Sequence, residues 1–182
     1  NPITEKSITQ GKTIYAISKL AGEELCRAYS QKYNDLSFTI LRYFNTYGPF
    51  QIAQFVIPKF IKRISEGKPP VIYGDGQQKR SYCFSKDTSF ATVEALLRAK
   101  TNGEIINVGN STQPITLEEL AATAIEICGK NLEIKPFFEK SFENTDRIQA
   151  REIFERFCDT SKAKKLLDFI PQVQLKEGIR II

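Results

Sequence analysis

The sequence predicts an α/β protein built on a largely parallel sheet. Segments with apolar residues at helical spacing alternate along the chain with short β-branched and aromatic runs, and those runs are bounded by Gly, Pro, Asn or Asp. The composition agrees. Over 182 residues, 41% hydrophobic and 26% charged content suits a chain that buries a substantial core. No repeat or low-complexity segment interrupts the alternation.

Residues 1–12 are polar and turn-like. From Ile14 to about Tyr33 the spacing of Tyr15, Leu20, Leu25 and Tyr29 predicts an amphipathic helix. Ser37–Tyr43 is β-branched and aromatic, with Asn-Asp before it and Gly-Pro after, which predicts a buried strand. Residues 54–66 predict a short helix stopped by Gly67 and the prolines beyond. Val71–Tyr73 and Ser81–Phe84 are expected strands around a Gly74-Asp75-Gly76 turn. Asp87 or Thr88 is the expected cap of a helix running through Leu97. Glu104–Val108 is a strand closed by Gly109, and Thr116 followed by two acids opens a helix ending near Gly129. Leu132–Pro136 predicts a short strand and Ser161–Leu167 a late helix.

Composition excludes several function classes. The net charge of +5 is mild, and lysines and arginines are interleaved with 21 acids, so no nucleic-acid partner is expected. Four scattered cysteines form no C-x-x-C pair, which argues against a zinc site, and the absence of histidine argues against Cys/His or Ser/His catalysis. Unpaired cysteines of this kind fit a reducing cytoplasm. No apolar run approaches the roughly 20 residues of a membrane span. The chain starts at Asn1, contains no methionine, and stops within the apolar spacing of Leu175, Ile179 and Ile182, so a longer polypeptide is expected.

The first chemical candidate is Tyr15-x-x-x-Lys19. Four residues along a helix put both side chains on one face, and an ammonium beside a phenol favours the phenolate that proton transfer requires. The spacing alone is weak, since Tyr82 and Lys86 repeat it in a predicted strand, where four residues span roughly 13 Å.

Context adds specificity. Glu5 precedes Tyr15 by ten positions, and Tyr15-Ala16-Ile17-Ser18-Lys19-Leu20-Ala21-Gly22-Glu23 is followed by Leu41-Arg42-Tyr43-Phe44-Asn45-Thr46-Tyr47-Gly48-Pro49. Next come Val71-Ile72-Tyr73-Gly74-Asp75-Gly76 with Arg80 and Asp87, then Asn107-Val108-Gly109, and finally Cys158-Asp159-Thr160-Ser161-Lys162-Ala163. In this order, from about Glu5 to Gly178, the blocks resemble the extended short-chain dehydrogenase/reductases, and specifically their NAD-dependent nucleotide-sugar epimerase/dehydratase branch.

The resemblance implies a fold and a set of roles. Residues 1–50 would end a Rossmann-type dinucleotide-binding domain, with the catalytic helix and the following strand. Residues 51–182 would be mainly a small α/β substrate-binding domain, with about 87–109 returning to the doubly wound sheet. Tyr15 would exchange a proton with a sugar hydroxyl, and Lys19 would promote its ionisation and bond the nicotinamide ribose. Tyr43 and Phe44 would lie beside the nicotinamide, Asn45 would contact the sugar diphosphate, and Val56, Val71 and Tyr73 would hold the nucleotide base. Arg80 would bind the diphosphate through its forked donors. Asp87 is read as a helix cap. The 14–33 helix would pair two subunits.

There are departures from that pattern. Ser81 replaces the usual aspartate after the arginine, and Phe55 replaces an asparagine. The last arginine position reads Gln149-Ala150-Arg151, so Arg151, or Arg147, is the expected second phosphate contact from a shifted position. The glycine-rich pyrophosphate turn and the serine or threonine partner of the tyrosine are not in these 182 residues. The expectation is therefore a fragment, inactive by itself, of an NAD-dependent nucleotide-sugar 4-epimerase, with NADP left open. A 4,6-dehydratase or ketoreductase on similar substrates is the alternative within the family. A non-catalytic nucleotide-binding or regulatory module of the same fold is the alternative of another class.

Overall fold

The computed structural model describes residues 2–9, 11, 13–129, 133–139 and 154–182. Six α-helices are described: α1 (Ile14–Lys32), α2 (Val56–Ser65), α3 (Ser85–Leu97), α4 (Leu117–Cys128), α5 (Ser161–Leu167) and α6 (Leu175–Ile181). Nine short strands lie between them: β1 (Ile40–Tyr43), β2 (Thr46–Tyr47), β3 (Val71–Tyr73), β4 (Lys79–Arg80), β5 (Cys83–Phe84), β6 (Ile105–Val108), β7 (Ile115–Thr116), β8 (Phe137–Glu139) and β9 (Glu155–Arg156).

Parallel pairing dominates, as expected of strands separated by helices. β1 pairs β6 from Ile40↔Ile105 to Tyr43↔Val108; β2 pairs β5, β3 pairs β8 and β4 pairs β9 in the same sense. The described antiparallel pair is β4 with β7. These pairs form four small sheets rather than one.

Two apolar clusters hold the elements. One gathers Tyr47, Ile57, Phe60, Ile64, Ile72, Phe84, Leu117, Leu120 and Ile179 beneath α2, α4 and α6. The other gathers Ala91, Ala95, Ile106, Val108, Ala163, Leu167 and Phe169 between β6, α3 and α5. The α2 face follows from Ile57, Phe60 and Ile64 at helical spacing. Its Pro58 costs little in the first turn, where the N–H would be unpaired anyway. At the other end Gly67 takes φ +70° and Lys68 N–H reaches back to Arg63 O at 2.8 Å, the glycine-dependent stop that the sequence announces. Gly178 is required for a different reason: a Cβ there would stand 2.1 Å from the Tyr47 hydroxyl, so α6 could not seat on that ring.

Several expected boundaries move. The strand expected over Ser37–Tyr43 is regular only from Ile40. Ser81–Phe84 is not one strand; β4 and β5 flank Ser81 and Tyr82, and Lys86 sits in the first turn of α3. Asp87 is not a cap, because α3 begins at Ser85 with no side-chain cap at all. Instead Asp87 Oδ2 accepts Val173 N–H at 3.1 Å, tying the chain before α6 to α3. The strand expected over Leu132–Pro136 is absent from its described residues, 133–136, and β8 follows it on β3. A proline at 136 cannot donate to a ladder, whereas the aromatic residues after it can.

The start of α4 has the reciprocal cap that its sequence predicts. Thr116 Oγ1 accepts Glu119 N–H at 3.1 Å, and Glu119 Oε2 accepts Thr116 N–H at 2.8 Å. These bonds, the backbone one first, hold the Glu119 carboxyl below its ordinary range. Hydrogen bonds from Ser161 do the same for Asp159, and Arg98 for Asp168. A depressed carboxylate adds stability above its unfolded value, near pH 4, that is lost as pH falls through the folded one. Thermal melts followed by circular dichroism should therefore show a falling Tm below about pH 4.5. Thr116→Ala should cost about 1 kcal/mol at neutral pH, or about 2–4 °C in Tm, and flatten part of that acid slope. An unchanged Tm would remove the cap from the account.

Candidate functional site

α1 carries the tyrosine–lysine pair on its first turns. Thr13 caps it by accepting Ala16 N–H at 3.1 Å. Tyr15 is 71% exposed, and Lys19 Nζ lies 5.3 Å from the centroid of its ring. The one-face geometry expected of the motif is present, whereas Tyr82 and Lys86 fall on different elements. No residue of α1 is buried.

An ion pair ties that helix to the strand beneath it. Arg42 on β1 donates Nε and Nη2 to Glu23 at 2.8 and 2.7 Å, and Nη1 to Glu5 O at 3.3 Å. The Glu23 bonds raise the Arg42 guanidinium above its ordinary value. Glu5 Oε1 accepts Asn107 N–H on β6 at 2.9 Å. The acid ten positions before the tyrosine thus anchors the N-terminal segment to the β1–β6 pair.

β1 leads to Tyr43, whose hydroxyl meets Thr92 Oγ1 at 2.7 Å, and to half-buried Phe44, whose N–H bonds Val108 O. Asn45 then takes φ +45°, in the left-handed region that Asn tolerates better than most residues. Its Nδ2 donates to Ser81 O at 2.9 Å and its Oδ1 accepts from Arg156 Nη2 at 3.2 Å.

Asn45 opens on a cavity of about 390 Å³. Arg80, Arg156, Gln51, Gln78 and Tyr82 line its polar side, and Phe55, Val56 and Ile57 contribute the start of α2. That helix has no side-chain cap, because Phe55 at the capping position offers no acceptor. The positive dipole end of α2 therefore lies at the cavity wall. Parallel register sets Arg80 abreast of Arg156. Beside them Lys79 and Glu155 pair at 3.6 Å. Arg80 Nη1 donates to Lys79 O and Phe154 O, which fixes the guanidinium at the wall. Two guanidinium groups, the Asn45 amide and the start of a helix therefore line one cavity, and all are groups of the kind that anions accept bonds from.

The candidate residues named from sequence thus divide. Asn45, Val56 and Arg80 meet in the cavity. Tyr15, Lys19, Tyr43 and Phe44 lie outside its lining, towards α1 and β1. Val71 and Tyr73 do not line it either; Tyr73 lies under Lys59 Nζ, 5.6 Å from its ring centroid. Arg151 and Arg147 fall outside the described residues. Arg156 was not foreseen: only its strand register with Arg80 brings it to the site, and a two-residue strand leaves no periodicity to read. Cys83 and Cys158 are buried and their thiols are pushed up to about 12, so neither is a nucleophile. No group of potential metal ligands occurs among the described residues.

The sequence model of the NAD dependent epimerase/dehydratase family matches residues 1–109, and the chain belongs to that family. Among individual relatives, it is 30% identical over 177 residues to an uncharacterised UDP-glucose epimerase of Bacillus subtilis, covering 97% of this chain and 52% of that protein. It is 32% identical to a UDP-glucuronate 4-epimerase of Thermodesulfobacterium geofontis, covering 91% of this chain and 48% of the relative. The crystal structure of UDP-glucuronic acid 4-epimerase from Bacillus cereus with UDP-glucuronic acid and NAD superposes with a TM-score of 0.85 at 31% identity, over 100% of this chain and 55% of that one. The chain spans about half the length of the relatives it matches.

Proposed function

We propose that these 182 residues are the substrate-binding and proton-transfer half of an NAD-dependent nucleotide-sugar 4-epimerase. The observation that carries the reading is the cavity, where Arg80, Arg156, Asn45 and the uncapped start of α2 share one wall. A sugar nucleotide's diphosphate is a multiply charged anion, and the Bacillus cereus relative was crystallised with UDP-glucuronic acid. Val71 and Tyr73 would then meet the base beyond the cavity. A 4,6-dehydratase remains the second reading, because dTDP-glucose 4,6-dehydratases are also among the relatives, at 28–31% identity.

In the reaction, NAD supplies the hydride acceptor and donor at the sugar C4. Tyr15 takes the C4 hydroxyl proton on its phenolic oxygen as C4 is oxidised, and returns it after the keto sugar has turned its other face. Lys19 favours the phenolate by its charge. Tyr43 and Phe44 would flank the nicotinamide. These 182 residues suit that end of the cofactor but contain no glycine-rich turn for its pyrophosphate, which needs donors from the rest of a full-length protein. Residues 1–50 and about 87–109 would complete the cofactor domain, and most of 51–182 would hold substrate. A second subunit would cover the exposed Ile14, Ile17, Leu25 and Tyr29 of α1. Four unpaired cysteines suit a cytoplasmic setting, and no described helix is long and apolar enough to cross a membrane.

Calorimetric titration of this chain tests the division of labour. UDP-glucose or UDP-glucuronate should bind, whereas NAD should give no heat and the mixture no turnover. Micromolar NAD affinity would contradict the reading, as would failure of every nucleotide sugar to bind.

A further inference from the structure

The cavity wall holds oxygen atoms that lack a hydrogen-bond donor. Gln78 is 5% exposed, and its Oε1 is buried without a partner. Gln51 Oε1 and Thr46 Oγ1 share that state. All three residues line the cavity. Gln51 Nε2 is already committed to Thr46 O at 3.1 Å, which turns its carbonyl away from the backbone. A buried acceptor without a donor is destabilising and rare in native proteins, and the two glutamine carbonyls beside this cavity are both in that state.

Their position says what would relieve them. Gln78 and Arg80 are two residues apart and both line the cavity. The acceptors therefore lie next to the cations. A ligand that places anionic oxygens on Arg80 and Arg156 must place its adjoining group against Gln78 and Gln51. That group must donate hydrogen bonds, since the wall already has unpaired acceptors. The glutamine amide turns about a broad terminal torsion, so its carbonyl can swing to a donor at little cost.

We propose that Gln78, seconded by Gln51, is a specificity-determining residue that accepts a hydrogen bond from a ring hydroxyl next to the ligand's phosphates. The inference rests on the reading of the cavity as a diphosphate site. Two ring systems carry such hydroxyls in a sugar nucleotide, the ribose and the hexose. A ligand hydroxyl there would give the unpaired Gln78 oxygen its donor.

Calorimetry with UDP, 2′-deoxy-UDP and UDP-glucose, on the 182-residue chain and its Gln78→Leu variant, tests this. The variant should bind UDP-glucose about five- to tenfold more weakly. If the loss also appears with UDP and vanishes with 2′-deoxy-UDP, the hydroxyl is on the ribose; if it appears with UDP-glucose alone, it is on the hexose. Without ligand, the variant should melt at the same temperature or about 2–4 °C higher, since an unpartnered buried oxygen has been removed. A lower melting temperature would mean that the amide is a structural bond, and would overturn the proposal. Gln51→Leu should show the same opposition of affinity and stability to a smaller extent. Equal affinity of both variants and the parent chain for all three ligands would overturn the inference while leaving the diphosphate reading intact. Failure of the unaltered chain to bind any of them would overturn both.

Discussion

Replacing Tyr15 with Phe in the full-length protein should lower the rate of sugar oxidation by about 10²–10⁴-fold, the range that a positioned acid–base group contributes. Affinity for the nucleotide sugar should remain within about twofold, a difference worth less than the ~1.4 kcal/mol of a tenfold change. The separation follows from geometry. Tyr15 lies on the exposed first turn of α1, outside the lining of the cavity that would hold the diphosphate. Its ring is not part of either apolar cluster, so losing the hydroxyl leaves both cores untouched. The absorbance of reduced cofactor in a single turnover, beside calorimetry for binding, separates the two effects. A variant that still oxidises its substrate at the parent rate would remove Tyr15 from the mechanism.

Removing the paired arginines should instead damage binding. Arg156→Ala is expected to weaken UDP-glucose affinity about 10- to 100-fold, since a charge-assisted bond contributes about 1.5–3 kcal/mol. Arg80→Ala should cost at least as much, because Arg80 also holds Lys79 O and Phe154 O and so keeps β4 and β9 together. Arg80→Lys should recover only part of the loss, having the charge without the fork. Both losses should shrink as salt is added. Arg156→Ala is the cleaner probe: its described hydrogen bond is to Asn45, and removing one of two like charges abreast does not burden the fold. Parent-like affinity in both alanine variants would end the diphosphate reading.

What the sequence made legible, and what it did not, divides along contact range. The long amphipathic repeat of α1, the reciprocal cap at Thr116 and the glycine stop after α2 are local signals, and each element stands within two residues of its expected place. β1 and β6 were legible as apolar runs. β2, β4 and β9 were not, because two residues carry no period, and their existence depends on partners up to 76 residues away. The same holds for the site. Asn45, Val56 and Arg80 were named from ordered motifs and share one cavity. Arg156 was missed because strand register, a long-range property, selects it. Gln78 and Gln51 were missed because a glutamine in an exposed-looking polar stretch gives no sign that its carbonyl will be buried and unpaired. From sequence Asp87 reads as a cap, the local use of an aspartate, whereas in the fold its carboxylate accepts the distant Val173 N–H.

Asn45 meets three demands at once: a left-handed backbone, a donor for Ser81 O and an acceptor for Arg156. Glycine meets the first and neither of the others. Aspartate tolerates the backbone and accepts, but its carboxylate cannot donate. Serine and threonine are too short to reach both neighbours, and glutamine has the amide without the same ease in the left-handed region. Of these residues, asparagine alone meets all three demands, so even a conservative substitution at position 45 gives up the backbone turn or one of the two bonds.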